Sequence, residues 1–153
     1  MRLYLGYVSR VDAPGKRWSA LVVDDDPGIQ GLFTTLLARG GFSVDCAPNG
    51  RQAFEYLRRG SYAVILLDLM MPEVNGFELL ERIERTSPAL LGRVIVMTGA
   101  SQRVLEDFHP SRVWGLIRKP FDIDEFLRSV VACAEGEPGV AFAAVGVQAG
   151  HPA

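Results

Sequence analysis

A chain of 153 residues, 48% apolar and 22% charged, can bury the core of one domain but is short for two. Its formal net charge of −2, with no basic run, argues against a nucleic-acid-binding face. No apolar stretch approaches the roughly 18 residues of a membrane span, and Leu3–Val8 is too brief for a signal-peptide core, so a soluble cytoplasmic protein is expected.

Residues 1–18 show no clear element and read as an N-terminal extension. Ala20-Leu21-Val22-Val23 is a strand-type run that meets acidic residues. From Pro27, the apolar residues Ile29, Leu32, Phe33, Leu36 and Leu37 fall on one helix face. Asp26 is placed to cap that helix, Pro27 suits its first turn, and Gly40-Gly41 supplies the stop. Phe42, Val44 and Cys46 alternate with Ser43 and Asp45, which predicts an edge strand with one wet face. Asn49 caps a second helix to about Arg59, ended by Gly60. Ala63–Leu67 is continuously apolar, as in a central parallel strand covered on both faces. Asn75 caps a third helix through Phe77, Leu80 and Ile83, ending near Ser87-Pro88. Val94–Met97 is a fourth strand, Ser101–Phe108 a short helix and Val113–Ile117 a fifth strand. Asp122 caps a last helix whose face carries Ile123, Phe126, Leu127, Val130 and Val131.

This (βα)5 succession implies an α/β domain over residues 19–134, a doubly wound parallel sheet with right-handed crossovers. Residues 135–153 open with Glu-Gly-Glu-Pro-Gly, continue in an Ala/Val/Gly stretch, and are expected to form a flexible tail. Cys46 and Cys133 fit no zinc or redox spacing and read as small buried hydrophobes. His109 and His151 are isolated and receive no role.

The chemistry concentrates at the carboxyl ends of the strands, where such sheets place their ligands. The first strand ends in Asp24-Asp25-Asp26, the third in Asp68, the fourth in Thr98 and the fifth in Lys119. Taken singly, each has an ordinary explanation: Asp26 is a helix cap, Asp68 a turn residue, and a lone Thr or Lys at a strand end means little. Together they crowd carboxylates that repel one another, and a hard divalent cation such as Mg²⁺ relieves that repulsion. An ammonium and a hydroxyl beside such a cation suit a phosphoryl group.

Residues 20–134 resemble the receiver domain of two-component response regulators. The resemblance rests on four strings: Leu21–Pro27, Leu66–Gly76, Val96–Ala100 and Arg118–Phe121, of which the second is the most specific. It implies a flavodoxin-like sheet of strand order 2-1-3-4-5 and a single-domain signalling protein. It implies that Asp68 is the phosphoacceptor, aided by Thr98 and Lys119, each holding a phosphoryl oxygen. It implies Mg²⁺ held by Asp25 and Asp68 directly, by Asp24 mainly through water, and by the backbone carbonyl of Met70. Pro72 and Gly76 would shape the loop after the acceptor. The donor would be a histidine kinase or a histidine phosphotransfer protein, and the output contact with a downstream protein, without nucleic acid or membrane. Self-phosphorylation and dephosphorylation would be the only catalysis. A homodimer would use the surface of the 101–108 helix and the fifth strand.

Leu116 departs from the family pattern, which commonly has an aromatic residue three positions before the lysine; Trp114 lies two further back. Met70 and Ala100, at positions that tune dephosphorylation in the family, are both nonpolar, which argues against rapid self-dephosphorylation. Two other readings compete. One is a haloacid-dehalogenase-type phosphatase with Asp24 as nucleophile and Asp26 as acid/base, which leaves Asp68 unexplained. The other is a receiver-like binding module that ignores phosphate.

Overall fold

The computed structural model describes residues 18–69, 76–99 and 113–139. The strands are β1 (Trp18–Val23), β2 (Phe42–Ala47), β3 (Val64–Asp68), β4 (Val94–Thr98) and β5 (Gly115–Arg118). They form one sheet in the order β2-β1-β3-β4-β5, and every ladder is parallel. That is the expected strand order. Parallel neighbours need a crossover between them, and the helices α1 (Pro27–Arg39), α2 (Gly50–Arg59), α3 (Gly76–Thr86) and α4 (Ile123–Ala134) flank the sheet. The helix expected over 101–108 and the Asn75 cap lie outside the described residues.

Local chemistry accounts for the helix ends. Asp26 accepts hydrogen bonds from the Gly28 and Ile29 backbone N–H groups at 2.8 and 3.4 Å, with Pro27 opening α1. Asn49 accepts from Gln52 at 2.9 Å and Asp122 from Glu125 at 3.0 Å. Each cap satisfies an otherwise orphaned donor in the first helical turn. Beyond α1 the chain reverses through Gly41, whose φ of 90° is costly for any residue with a Cβ.

The period of two along each strand divides the core between two faces. Ala20, Val22, Leu66 and Ile95 face Phe33 and Leu37 of α1 and Phe126 and Val130 of α4. Leu21, Val23, Leu67 and Val96 face Ala53 of α2 and Leu79 and Ile83 of α3. Phe33, Phe121 and Phe126 pack with ring centroids 5.1–5.7 Å apart, locking α1 and α4 together. The edge strand β2 alternates as expected, with Ser43 and Asp45 exposed.

Several expectations are corrected. Trp18 belongs to β1 rather than to an extension, because it pairs with Phe42 and its ring lies 5.4 Å from the Phe42 ring. β5 begins at Gly115, two residues later than predicted. The chain bends at Val113 and Trp114, and the period of two is broken after them: Trp114 and Leu116, two positions apart, fall in opposite core clusters. A 3-10 helix, Pro88–Arg93, fills the connection to β4, and Arg93 closes it by donating to the Tyr62 carbonyl at 3.0 Å. After α4 the chain is held where a loose tail was expected. The Trp114 indole N–H donates to the Glu137 carbonyl at 2.8 Å, and a Cβ on Gly139 would stand 2.6 Å from the Trp114 carbonyl oxygen. The tail from residue 140 lies outside the described residues.

Burial sets an alkaline limit on this fold. The Cys133 thiol, 4% exposed, is pushed up from 9.0 to about 12 by burial, against a small opposing pull from Arg93. Tyr62 is also driven above its usual range, first by burial and then by donating to Asp45 at 2.7 Å. Above pH 9 the unfolded chain releases the thiol proton while the folded chain keeps it. Stability tied to Cys133 is therefore complete below about pH 9 and lost toward pH 12. Urea titrations between pH 9 and 11 should show stability declining by on the order of 1 kcal/mol per pH unit from this group. That component should vanish in Cys133→Ala; equal slopes in the two proteins would refute the assignment.

Candidate functional site

Four of the predicted residues converge at the carboxyl ends of β1, β3, β4 and β5. Asp24 follows β1 directly, its N–H bonded to the Ala47 carbonyl at 3.1 Å, and is only 3% exposed. A carboxylate so deeply placed needs partners. One oxygen accepts the Asp26 N–H at 2.9 Å, and the other lies 3.4 Å from the Lys119 ammonium. Asp68 ends β3, and its carboxylate is 3.7 Å from the same ammonium. Lys119 reaches this position because β5 pairs with β4 in register, Thr98 beside Arg118, and the Lys119 N–H bonds to the Thr98 carbonyl at 2.9 Å. Thr98 is fully buried.

One carboxylate oxygen each from Asp24, Asp25 and Asp68 lie within 4.8 Å of one another, with Asp25 the exposed member. Two oxygens on opposite sides of one Mg²⁺ stand about 4.2 Å apart, twice the roughly 2.1 Å ligand distance. The cluster therefore fits a single hard cation after a small contraction, or with a water completing the contact to one carboxylate. The donor set is all oxygen, which suits Mg²⁺ rather than a soft metal.

The site also rests on Gly76 at the start of α3. A Cβ there would meet the Leu69 Cα at 2.5 Å and the Asp68 carbonyl oxygen at 2.6 Å. The Gly76 N–H instead donates to the Leu69 carbonyl at 2.9 Å. Helix α3 thus closes directly onto the backbone of the acidic residue, a packing reason for a glycine that turn chemistry alone does not supply.

Asp26 stands apart from the cluster, occupied with its own helix. Leu116 is fully buried, in the cluster with Val94 and Val96. Met70, Pro72 and Ala100 lie outside the described residues. One contributor escaped sequence reasoning: the Gln30 side chain donates to the Asp24 backbone carbonyl at 2.6 Å. No pattern marks it, since a glutamine in the first turns of a helix is usually a solvated surface residue.

A family model described as the response regulator receiver domain matches residues 20–131. The chain belongs to that family. The transcriptional regulatory protein DltR of Streptococcus agalactiae serotype III is 35% identical to this receiver domain over 117 residues, 72% of the chain and 49% of the relative. The DNA-binding transcriptional regulator NtrC of Bradyrhizobium is 33% identical over 122 residues, 78% of the chain and 25% of the relative. The chain thus spans half or less of these curated relatives. Among solved structures, the response regulator TrrA of Thermotoga maritima, in complex with Mg²⁺ and beryllofluoride, superposes with a TM-score of 0.67 at 28% identity. The match covers 76% of this chain and 99% of that one. The receiver family is a signalling family rather than one of conventional enzymes. Among the described residues, no helix of this domain is long and apolar enough to cross a membrane.

Proposed function

We propose that this receiver domain accepts a phosphoryl group on Asp68 from a phosphohistidine of a kinase or phosphotransfer protein, in a Mg²⁺-dependent cytoplasmic reaction. The observation that carries the reading is the Lys119 ammonium standing between the carboxylates of Asp24 and Asp68 beside three gathered carboxylate oxygens. A carboxylate oxygen of Asp68 attacks phosphorus, the donor N–P bond breaks, and its electron pair leaves with the imidazole. The product is an acyl phosphate on Asp68. Lys119, released in part from Asp24, pairs with one equatorial oxygen, and the Thr98 hydroxyl donates to another. Mg²⁺ held by Asp25 and Asp68, by Asp24 through water and by the Met70 carbonyl would supply the remaining neutralisation of the transferring group. The added charge on a buried rim then biases the packing around Thr98, altering the surface offered to a downstream protein.

Two features favour this reading over a phosphatase built on Asp24 and Asp26. Asp24 is buried against Lys119, which suits a charge-balanced metal ligand, and the Asp26 carboxylate is engaged as the α1 cap. The phosphate mimic carried by TrrA gives the direct test. Beryllofluoride should bind this domain only when Mg²⁺ is present, and Asp25→Asn should weaken that binding by roughly tenfold or more. Fluorine NMR would report it; a protein that ignores the mimic at millimolar Mg²⁺ would be a binding module rather than a phosphoacceptor.

A further inference from the structure

We infer that Gln30 is a positioning residue that aims the Asp25 carboxylate at the cation. The inference rests on the reading of the acidic rim as a Mg²⁺ site. Among the described residues no side-chain hydrogen bond holds the Asp25 carboxylate, so its direction is set by the backbone that carries it. That backbone is fixed on both sides. On the far side, Asp26 is tied into α1 by its cap bonds to Gly28 and Ile29. On the near side, the Asp24 carbonyl accepts the Gln30 side-chain amide at 2.6 Å, a contact across six positions.

Gln30 grips the turn twice, because its backbone N–H also donates to the Asp26 carbonyl at 3.0 Å. The second bond is ordinary helix geometry and would survive any substitution but proline. The first belongs to the amide side chain alone. Without it, the Asp24 carbonyl loses its side-chain donor, and the peptide joining Asp24 to Asp25 can tilt within the turn that the Asp26 N–H closes onto the Asp24 carboxylate, turning the Asp25 side chain off its aim. Asp24 would stay in place, since its carboxylate is held independently by the Asp26 N–H at 2.9 Å and by Lys119 at 3.4 Å. Removing the amide should therefore cost the cation one well-aimed ligand while leaving the core and the ammonium undisturbed. Groups outside the coordination shell that orient metal ligands act in this way in other proteins.

The test is a calorimetric titration of the full chain with Mg²⁺, comparing wild type, Gln30→Leu, Gln30→Ala and Asp25→Asn, with melting temperatures measured alongside. Gln30→Leu keeps the length of the side chain and loses the donor; Gln30→Ala guards against a bulk effect. Both should bind Mg²⁺ roughly tenfold more weakly than wild type, at nearly unchanged melting temperature. Wild-type affinity in both variants would overturn the assignment. So would a loss of fold in both, because the role would then be structural. A wild type that does not bind Mg²⁺, or binding unaffected by Asp25→Asn, would instead overturn the reading of the rim on which this inference stands.

Discussion

Asp68→Asn is expected to abolish phosphoryl incorporation from both a phosphorylated kinase and a small-molecule phosphodonor. The amide matches the carboxylate in shape but offers no anionic oxygen, so the loss should reach roughly a hundredfold or more, with the fold retained. The surroundings make the substitution clean. Asp68 lies at the end of a strand whose register with β1 and β4 is fixed by backbone pairing, and its side chain meets the Lys119 ammonium at 3.7 Å. Asp24→Asn should behave differently. It weakens the partner of Lys119 and the acidic cluster but leaves the Asp68 carboxylate, so under the proposed function slow labelling should persist. Intact-mass spectrometry after incubation with donor and Mg²⁺ separates the cases. Labelling that survives in Asp68→Asn and disappears in Asp24→Asn would transfer the nucleophile to the first strand and revive the phosphatase.

Gly76→Ala is expected to destabilise the domain, against the direction that helix propensity alone would give. In an ordinary helical position alanine is better than glycine by about 1 kcal/mol. Here the new methyl would stand 2.5 Å from the Leu69 Cα and 2.6 Å from the Asp68 carbonyl, both backbone atoms that no side-chain rotation can move away. Overpacking of this kind costs about 3 kcal/mol, which leaves a net loss of about 2 kcal/mol. For a domain of this size that lowers the melting temperature by roughly 6 °C. The strain is relieved only by backing α3 away from the end of β3, so phosphorylation of Asp68 should slow in the same variant. A melting temperature equal to or above wild type would show that α3 does not close onto the backbone of Asp68 and Leu69.

The two predictions draw on information of different kinds. The place of Asp68 was legible because sequence pattern carries local facts well: a continuous apolar run such as Val64–Leu67 identifies a strand covered on both faces, and the residue that ends it falls at the carboxyl edge of the sheet. The caps Asp26, Asn49 and Asp122 were legible for the same reason, each being a bond between residues two or three positions apart. What pattern does not carry is contact between distant segments. Gly76 could be named as a loop-shaping residue, but not as the point where a helix touches the backbone of Asp68. The start of β5 was misplaced because Val113 and Trp114 have strand-like side chains, while the bend that shifts the alternation between Trp114 and Leu116 leaves no mark in the pattern. The 3-10 helix after Ser87 escaped because Pro88 announces the end of one helix and not the tighter turn that begins there. Gln30 escaped for a similar reason, since its amide is tied to the turn by geometry and not by any periodicity.

The bond from Trp114 to the Glu137 carbonyl, with Gly139 pressed against the Trp114 backbone, has a practical corollary for handling the molecule. Trimming the polypeptide at Ala134, where its last helix stops, would strip the indole of its acceptor and uncover one flank of a ring that is now 4% exposed. Recombinant versions meant to behave like the native domain should run at least through Gly139.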